Sequence, residues 1–269
     1  MNTRIACLCS LLGAALFSLS SEGAVVNPKH SDARCLEMPD TGVSVLDRAV
    51  WHEWFGDSLR WASGNEHLSF IGGELRQRFV PADNGTDRVT AAIDIAPHKV
   101  YQITQRITLE PGWSWGIRHQ GGKMGFSVAG GSTPTGGEIK PDGFTARIGF
   151  RGNNDGTGRL MLYSYAADRN TDIGVDYVIY PGTITPGIPL DVTTEVGVNS
   201  AAHLSDGWVK VWYSEKLVLS RKGIQWQSKG EPIIDVLMYS TFFGGNTAEW
   251  APEHTSYARI SRVCWKPVL

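Results

Sequence analysis

From about residue 40 to the C-terminus, short runs of β-branched and aromatic residues are separated by clusters of Gly, Asn, Asp and Pro. Helical periodicity is nearly absent. The runs Lys99–Leu109, Phe144–Phe150, Arg159–Tyr165, Thr194–Val198, Trp208–Trp212, Leu217–Ser220 and Ile233–Thr241 all have the length and composition of strands. Only Leu46–Trp54 reads as a short helix. No fixed-period repeat, Pro/Ser linker or charge block marks a domain boundary. Such a chain buries one face of each strand against a second sheet, so the pattern predicts an all-β fold: a sandwich or jelly roll of two antiparallel sheets. The 269 residues suit one domain of that kind. A hydrophobic content of 42% excludes disorder. A net charge of -2 leaves no electrostatic footprint for nucleic acid or an anionic membrane.

Residues 1–23 read as a secretory signal peptide, leaving 24–269 as the single folded domain. Arg4 supplies the basic start, Ile5 to Leu19 the apolar run, and Ser21-Glu22-Gly23 the small-x-small site, with a cut after Ala24 as the neighbouring choice. The competing reading is a membrane anchor, but the run falls short of the roughly 20 residues of a spanning helix. Export predicts a secreted or periplasmic protein, off the membrane once the leader is removed. Processing also removes Cys7 and Cys9, leaving Cys35 and Cys264. In an exported protein this pair points to a disulfide; two separate buried thiols are the other reading. A bridge closing so long a loop contributes about 4–5 kcal/mol in the chain-entropy account.

One hairpin is legible residue by residue. Phe144, Ala146, Ile148 and Phe150 face one way, and Thr145, Arg147 and Arg151 the other. After the turn 152–158, Leu160 and Leu162 point inward while Arg159, Met161, Tyr163 and Tyr165 point outward. Both outward faces lie on one side of the sheet. The plain reading is a solvated face; the sharper one is a groove for an anionic ligand. There, Arg offers a fork for carboxylate and Tyr a stacking face with a polar tip. Uronic-acid polymers suit this mixture. Upstream, Trp113 to Met124 runs into a glycine-dense stretch that includes Gly121-Gly122-Lys123-Met124. It is no phosphate-binding Walker loop, because Lys123 is followed by Met124 rather than Ser or Thr.

These segments carry a family resemblance. Gln120-Gly121-Gly122-Lys123-Met124 followed by Gly130-Gly131 resembles the Gly-Gly-Lys-Leu/Met-Pro-Gly signature of polysaccharide lyase family 14. Gly143-Phe144-Thr145-Ala146-Arg147 is similar to its Phe-Ser-x-Arg strand, and Leu162-Tyr163-Ser164-Tyr165 to its paired-tyrosine strand. Ser240 to Gly245 with Trp250-Ala251-Pro252 resembles its C-terminal segment, and Asp206 to Trp212 a back hairpin common in these sandwiches. The likeness spans roughly Trp113 to Val263. Gly125 stands where the family has Pro, and Thr145 where it has Ser.

The resemblance implies a concanavalin-like β-jelly-roll and β-elimination on a polyuronate such as alginate or a glucuronan. It places Lys123 and Arg147 at the charged subsite, with Thr145, Tyr163 and Tyr165 beside them. Arg147 is the expected partner of the uronate carboxylate. Tyr163 or Tyr165 is then the base or acid, Lys123 the competing base, and His119 a further acid/base candidate. Arg118, Arg151, Asn153 and Tyr239 are expected to line neighbouring subsites. The expected partner is an acidic polysaccharide, the expected state a monomer, and no cofactor is needed because side-chain cations can neutralise the carboxylate. Asn153-Asn154-Asp155 reads as a hairpin turn in preference to a Ca²⁺ site. A glycoside hydrolase would need two carboxylates across the scissile bond, and the Glu-x-Asp-x-x-Glu strand of sandwich glucanases is missing. A Gly-x-Ser-x-Gly elbow is also absent. The principal rival is a lectin-like module that uses the same Arg/Tyr groove without a base.

Overall fold

A computed structural model describes residues 33–38, 48–83, 85–86, 88–169, 171, 173–245 and 247–269. The expected leader lies outside them, as do the first two residues of the expected helix, which runs over Arg48–Phe55 (α1). The strands in chain order are β1 (Arg34–Leu36), β2 (Leu59–Ser63), β3 (Leu68–Ile71), β4 (Glu74–Phe79), β5 (Pro81–Ala82), β6 (Gly85–Thr86), β7 (Val89–His98), β8 (Val100–Leu109) and β9 (Gly122–Lys123). They continue with β10 (Phe126–Gly131), β11 (Gly143–Gly152), β12 (Gly158–Tyr165), β13 (Val175–Ile184), β14 (Leu190–Gly197), β15 (Gly207–Tyr213), β16 (Lys216–Ile224), β17 (Ile234–Phe243) and β18 (Ser256–Pro267). Each of the seven runs read as strands from sequence lies in one of these, to within a residue at either end.

Two large antiparallel sheets result. The back sheet runs β16-β15-β14-β8-β18-β4-β3, with β1 beside β18; the front sheet runs β13-β12-β11-β10-β17-β7-β2, with β9 between β11 and β17. The two differ in burial. In β8, Tyr101, Ile103, Gln105, Ile107 and Leu109 are buried while the residues between them are partly or fully exposed. That period of two marks a sheet with one face in the core. In β11 and β17 both faces are buried over most of their length. The front sheet is therefore covered on its outer side too, and polar residues such as Thr145, Arg147 and Ser240 lie in that covered face.

Aromatic side chains fill the space between the sheets. Trp113 stacks on Phe243 at 5.5 Å and meets Phe79 and Phe150 edge-on. Trp51, delivered by α1, packs against Tyr239 and Phe126. Each such ring contributes roughly 1.5–3 kcal/mol of burial. Two glutamines from the back sheet cross this core. Gln105 brackets Phe126, donating to its carbonyl and accepting from its N–H, both at 2.8 Å. Gln77 donates to the Thr241 carbonyl at 2.7 Å and accepts the Tyr239 hydroxyl at 2.6 Å. Buried amides paired on both ends tie the sheets in one register. Cys35 and Cys264, direct cross-strand partners of β1 and β18, form a disulfide.

Candidate active site

The short strand β9 places Lys123. It is squeezed between two neighbours, with Lys123 opposite Gly149 of β11 and Phe242 of β17, and Gly122 opposite Phe150 and Phe243. A Cβ on Gly121 would stand 1.7 Å from the Phe150 carbonyl oxygen, and one on Gly122 2.1 Å from that of Phe242. The Gly-Gly before the lysine is thus a steric requirement of this insertion. Gly125 has φ +78 and donates its N–H to the Thr241 hydroxyl at 2.8 Å. A proline fits neither condition, because its φ is fixed near −65° and it has no N–H. The departure from the Lys-Met-Pro pattern follows from that geometry.

Arg147 on β11 stands directly opposite Tyr163 on β12, and Thr145 opposite Tyr165. With Lys123, the Arg147, Tyr163 and Tyr165 side chains meet in a cleft of about 830 Å³ on the outer side of the front sheet. The Lys123 ammonium lies 4.1 Å from the Tyr163 ring centroid. The Arg147 guanidinium lies 5.0 Å from the Tyr165 ring and 5.4 Å from that of Tyr163. Each tyrosine hydroxyl accepts a backbone N–H, Tyr163 from Gly174 at 2.9 Å and Tyr165 from Gly137 at 3.3 Å, and the two hydroxyls are 3.3 Å apart. Arg169 lies over the Tyr165 ring, 4.1 Å from its centroid, and donates to the carbonyls of Gly137 and Glu138, fixing the loop that forms one wall.

The electrostatics are unusual at Arg147. The residue is 3% exposed, has no carboxylate partner among the described residues, and leaves Nε and Nη2 without hydrogen-bond partners. Burial depresses its pKa, while the two tyrosines act in the opposite sense. A buried, unpaired guanidinium is costly, and a bidentate anion relieves that cost. Burial, followed by the contact with Tyr165, raises the pKa of Tyr163, so its phenol keeps its proton at neutral pH.

Of the residues singled out from sequence, Lys123, Arg147, Arg151, Tyr163 and Tyr165 line the cleft. Thr145 is fully buried beside them and donates to the Pro134 carbonyl, anchoring the wall loop. His119, Arg118 and Asn153 do not line it. His119 contacts the Asn154 side chain, Arg118 pairs with Glu249, and Asn153 bonds Thr157 within the hairpin turn. In that turn Asp155 accepts from the Thr157 N–H and hydroxyl. Among the described residues no group of three or more His, Cys, Asp or Glu side chains could hold a metal ion. The subsite expectation for Tyr239 is corrected. On β17 it is Met238, Ser240 and Phe242 that line the cleft, so Tyr239 points the other way, into the core and onto Gln77. Sequence reasoning missed Trp61 and Thr90 at the far end, Trp250, and Arg88, whose guanidinium lies over the Phe242 ring that Lys123 also approaches. Trp61, Arg88 and Thr90 precede the region of resemblance, and nothing in their local pattern separates them from ordinary surface residues.

The whole architecture has close counterparts. The alginate lyase Aly36B, solved as a double variant with an alginate tetrasaccharide, superposes with a TM-score of 0.78 at 20% identity, over 90% of this chain and 98% of that one. The marine PL-14 alginate lyase from Aplysia kurodai gives 0.67 at 17% identity, over 87% and 98%. An endo-β-1,4-glucuronan lyase from Trichoderma reesei gives 0.52 at 12% identity, over 79% and 92%. No curated protein matches the chain. The fold is thus the β-jelly-roll of polysaccharide lyases. The family model for polysaccharide lyase 14 matches residues 87–263, and the chain belongs to that family.

Proposed function

We propose that the protein is a secreted lyase that cleaves a 1,4-linked uronate polymer, alginate or a glucuronan, by β-elimination. The observation that carries this reading is the buried guanidinium of Arg147, which has open hydrogen-bonding capacity at the base of a cleft lined by Lys123 and two tyrosines. A uronate carboxylate placed there is neutralised, which acidifies the C5 proton and stabilises the enolate-like intermediate. Lys123 faces the cleft, whereas Tyr165 is 4% exposed and engaged by Gly137, so we assign proton abstraction at C5 to Lys123. Tyr163, held protonated, donates to the departing glycosidic oxygen. The C5–H electron pair forms the C4–C5 double bond, the C4–O bond breaks, and the leaving chain takes the tyrosine proton. The alginate and glucuronan lyases that share the fold support the substrate class. The Cys35–Cys264 bridge and the apolar leader support export.

The test is ultraviolet absorbance on incubation with polymannuronate, polyguluronate and glucuronan. A rise from conjugated unsaturated ends is expected. Binding without any rise would establish the lectin-like alternative.

The cleft crosses the sheet. From Trp61 on β2 to Tyr163 on β12 there are five inter-strand steps, about 24 Å at the usual strand spacing. Trp61 is 37% exposed and lines that far end. A polymer of several sugars reaches it and a short one does not. For Trp61→Ala, KM on long polymer is expected to rise up to about tenfold, the value of one aromatic contact. Steady-state kinetics on trisaccharides should show no change.

A further inference from the structure

The back sheet carries a patch that the elimination chemistry does not use. On β15, Val209 and Val211 are fully buried toward the core, so Trp208, Lys210 and Trp212 project from the opposite, outer face. The Trp208 indole lies across Gly197 of β14. A Cβ at Gly197 would stand 2.4 Å from Cε2, 2.5 Å from Nε1 and 2.7 Å from Cζ2, three bonded atoms of the ring system. The ring is therefore laid against the sheet backbone, and the residue stays part-exposed.

Between the two indoles sits a cation. Lys210 Nζ is 4.5 Å from the Trp208 ring and 6.0 Å from that of Trp212. It also pairs with Glu195 at 3.4 Å, but that carboxylate is only 12% exposed and takes a further bond from Gln102, so the ammonium lies over it. Lys222 stands opposite Trp208, and the exposed Lys266 and Arg262 lie on the same face. The other outward acids described on this sheet are already held: Asp191 by Arg106, Glu110 by Arg76 and Arg259, and Glu74 by Arg259. A chain of net charge -2 thus presents a positive outer sheet set with aromatic platforms.

We propose that this face is a second binding surface for an acidic polysaccharide, on the opposite side of the sandwich from the cleft. Sugar rings stack on the indoles, and a carboxylate between them meets Lys210. Trp208 and Trp212 are four residues apart on one strand, about 13 Å, which spans more than one sugar ring. That the bound polymer is also the substrate rests on the lyase reading; the surface itself does not. Its role is to keep the enzyme on the polymer between cleavage events.

The experiment is native electrophoresis through gels containing alginate, using Lys123→Ala protein so that the polymer stays intact. Adding Trp208→Ala and Trp212→Ala is expected to weaken retardation roughly tenfold. Lys222→Glu with Lys266→Glu, at exposed positions that do not threaten folding, is expected to weaken it as well and to reduce its salt dependence. In the Lys123-intact background, both sets should leave cleavage of short oligouronates unchanged by absorbance, which reads the lyase assignment separately. Retardation equal to the parent's in both sets, no retardation of the parent, or a change in oligomeric state without a change in retardation would each overturn the proposal.

Discussion

Arg147→Met is expected to lower kcat/KM on polyuronate by about 100- to 1,000-fold, the usual effect of removing one donor from a site of developing negative charge. The same change is expected to raise the melting temperature. In the free protein the guanidinium is enclosed, has no carboxylate beside it among the described residues, and leaves two of its nitrogens without hydrogen bonds. An apolar side chain of similar length removes that desolvation cost and keeps the packing against Tyr163 and Tyr165. For a domain of this size each kcal/mol gained appears as roughly 2–4 °C. Scanning calorimetry beside initial rates decides the matter. A variant both less active and less stable would mean that Arg147 is a structural residue, and full activity would remove it from the site.

Lys123→Arg is expected to reduce kcat by about 100- to 10,000-fold, with KM for the polymer changed little. Arginine keeps the positive charge near the Tyr163 and Phe242 rings but cannot give up its proton to become a base. The substitution therefore separates the two roles a lysine can play here. If Lys123 served only to attract the carboxylate, Lys123→Arg would retain most of its turnover and Lys123→Ala would raise KM. Tyr163→Phe belongs beside them in the same assay, since loss of the acid slows departure of the leaving chain and leaves carboxylate binding intact.

The most legible part of the molecule was the hairpin from Phe144 to Tyr165. It alternates cleanly, and its turn residues fix where it reverses, so the cross-strand pairing of Arg147 with Tyr163 follows from counting. Strand β17 carries no such alternation. Ile234–Phe243 is buried on both faces, so a period of two has no polar side that tells which of its residues face the cleft. His119, Arg118 and Asn153 were adjacent in sequence to true cleft residues, but they sit in turns, where a change of one residue redirects the side chain. Trp61 comes from the edge strand β2, and Arg88 immediately precedes its neighbour β7. Which distant strand lies beside which is a property of the folded topology, and no local pattern encodes it. The exception was Gly121-Gly122-Lys123, where a tight steric fit leaves a readable mark because only glycine satisfies it.

The bond between Cys35 and Cys264 makes the folded body a covalent ring, since 229 positions separate its two ends. A protease that cuts any one exposed loop within that span opens the ring without releasing a fragment. The two pieces stay tethered through β1 and β18, next to the strand partners they need, and so remain able to hold their places in the sheets. A single nick would alter the chain's connectivity while leaving one molecule, separable into parts only after reduction.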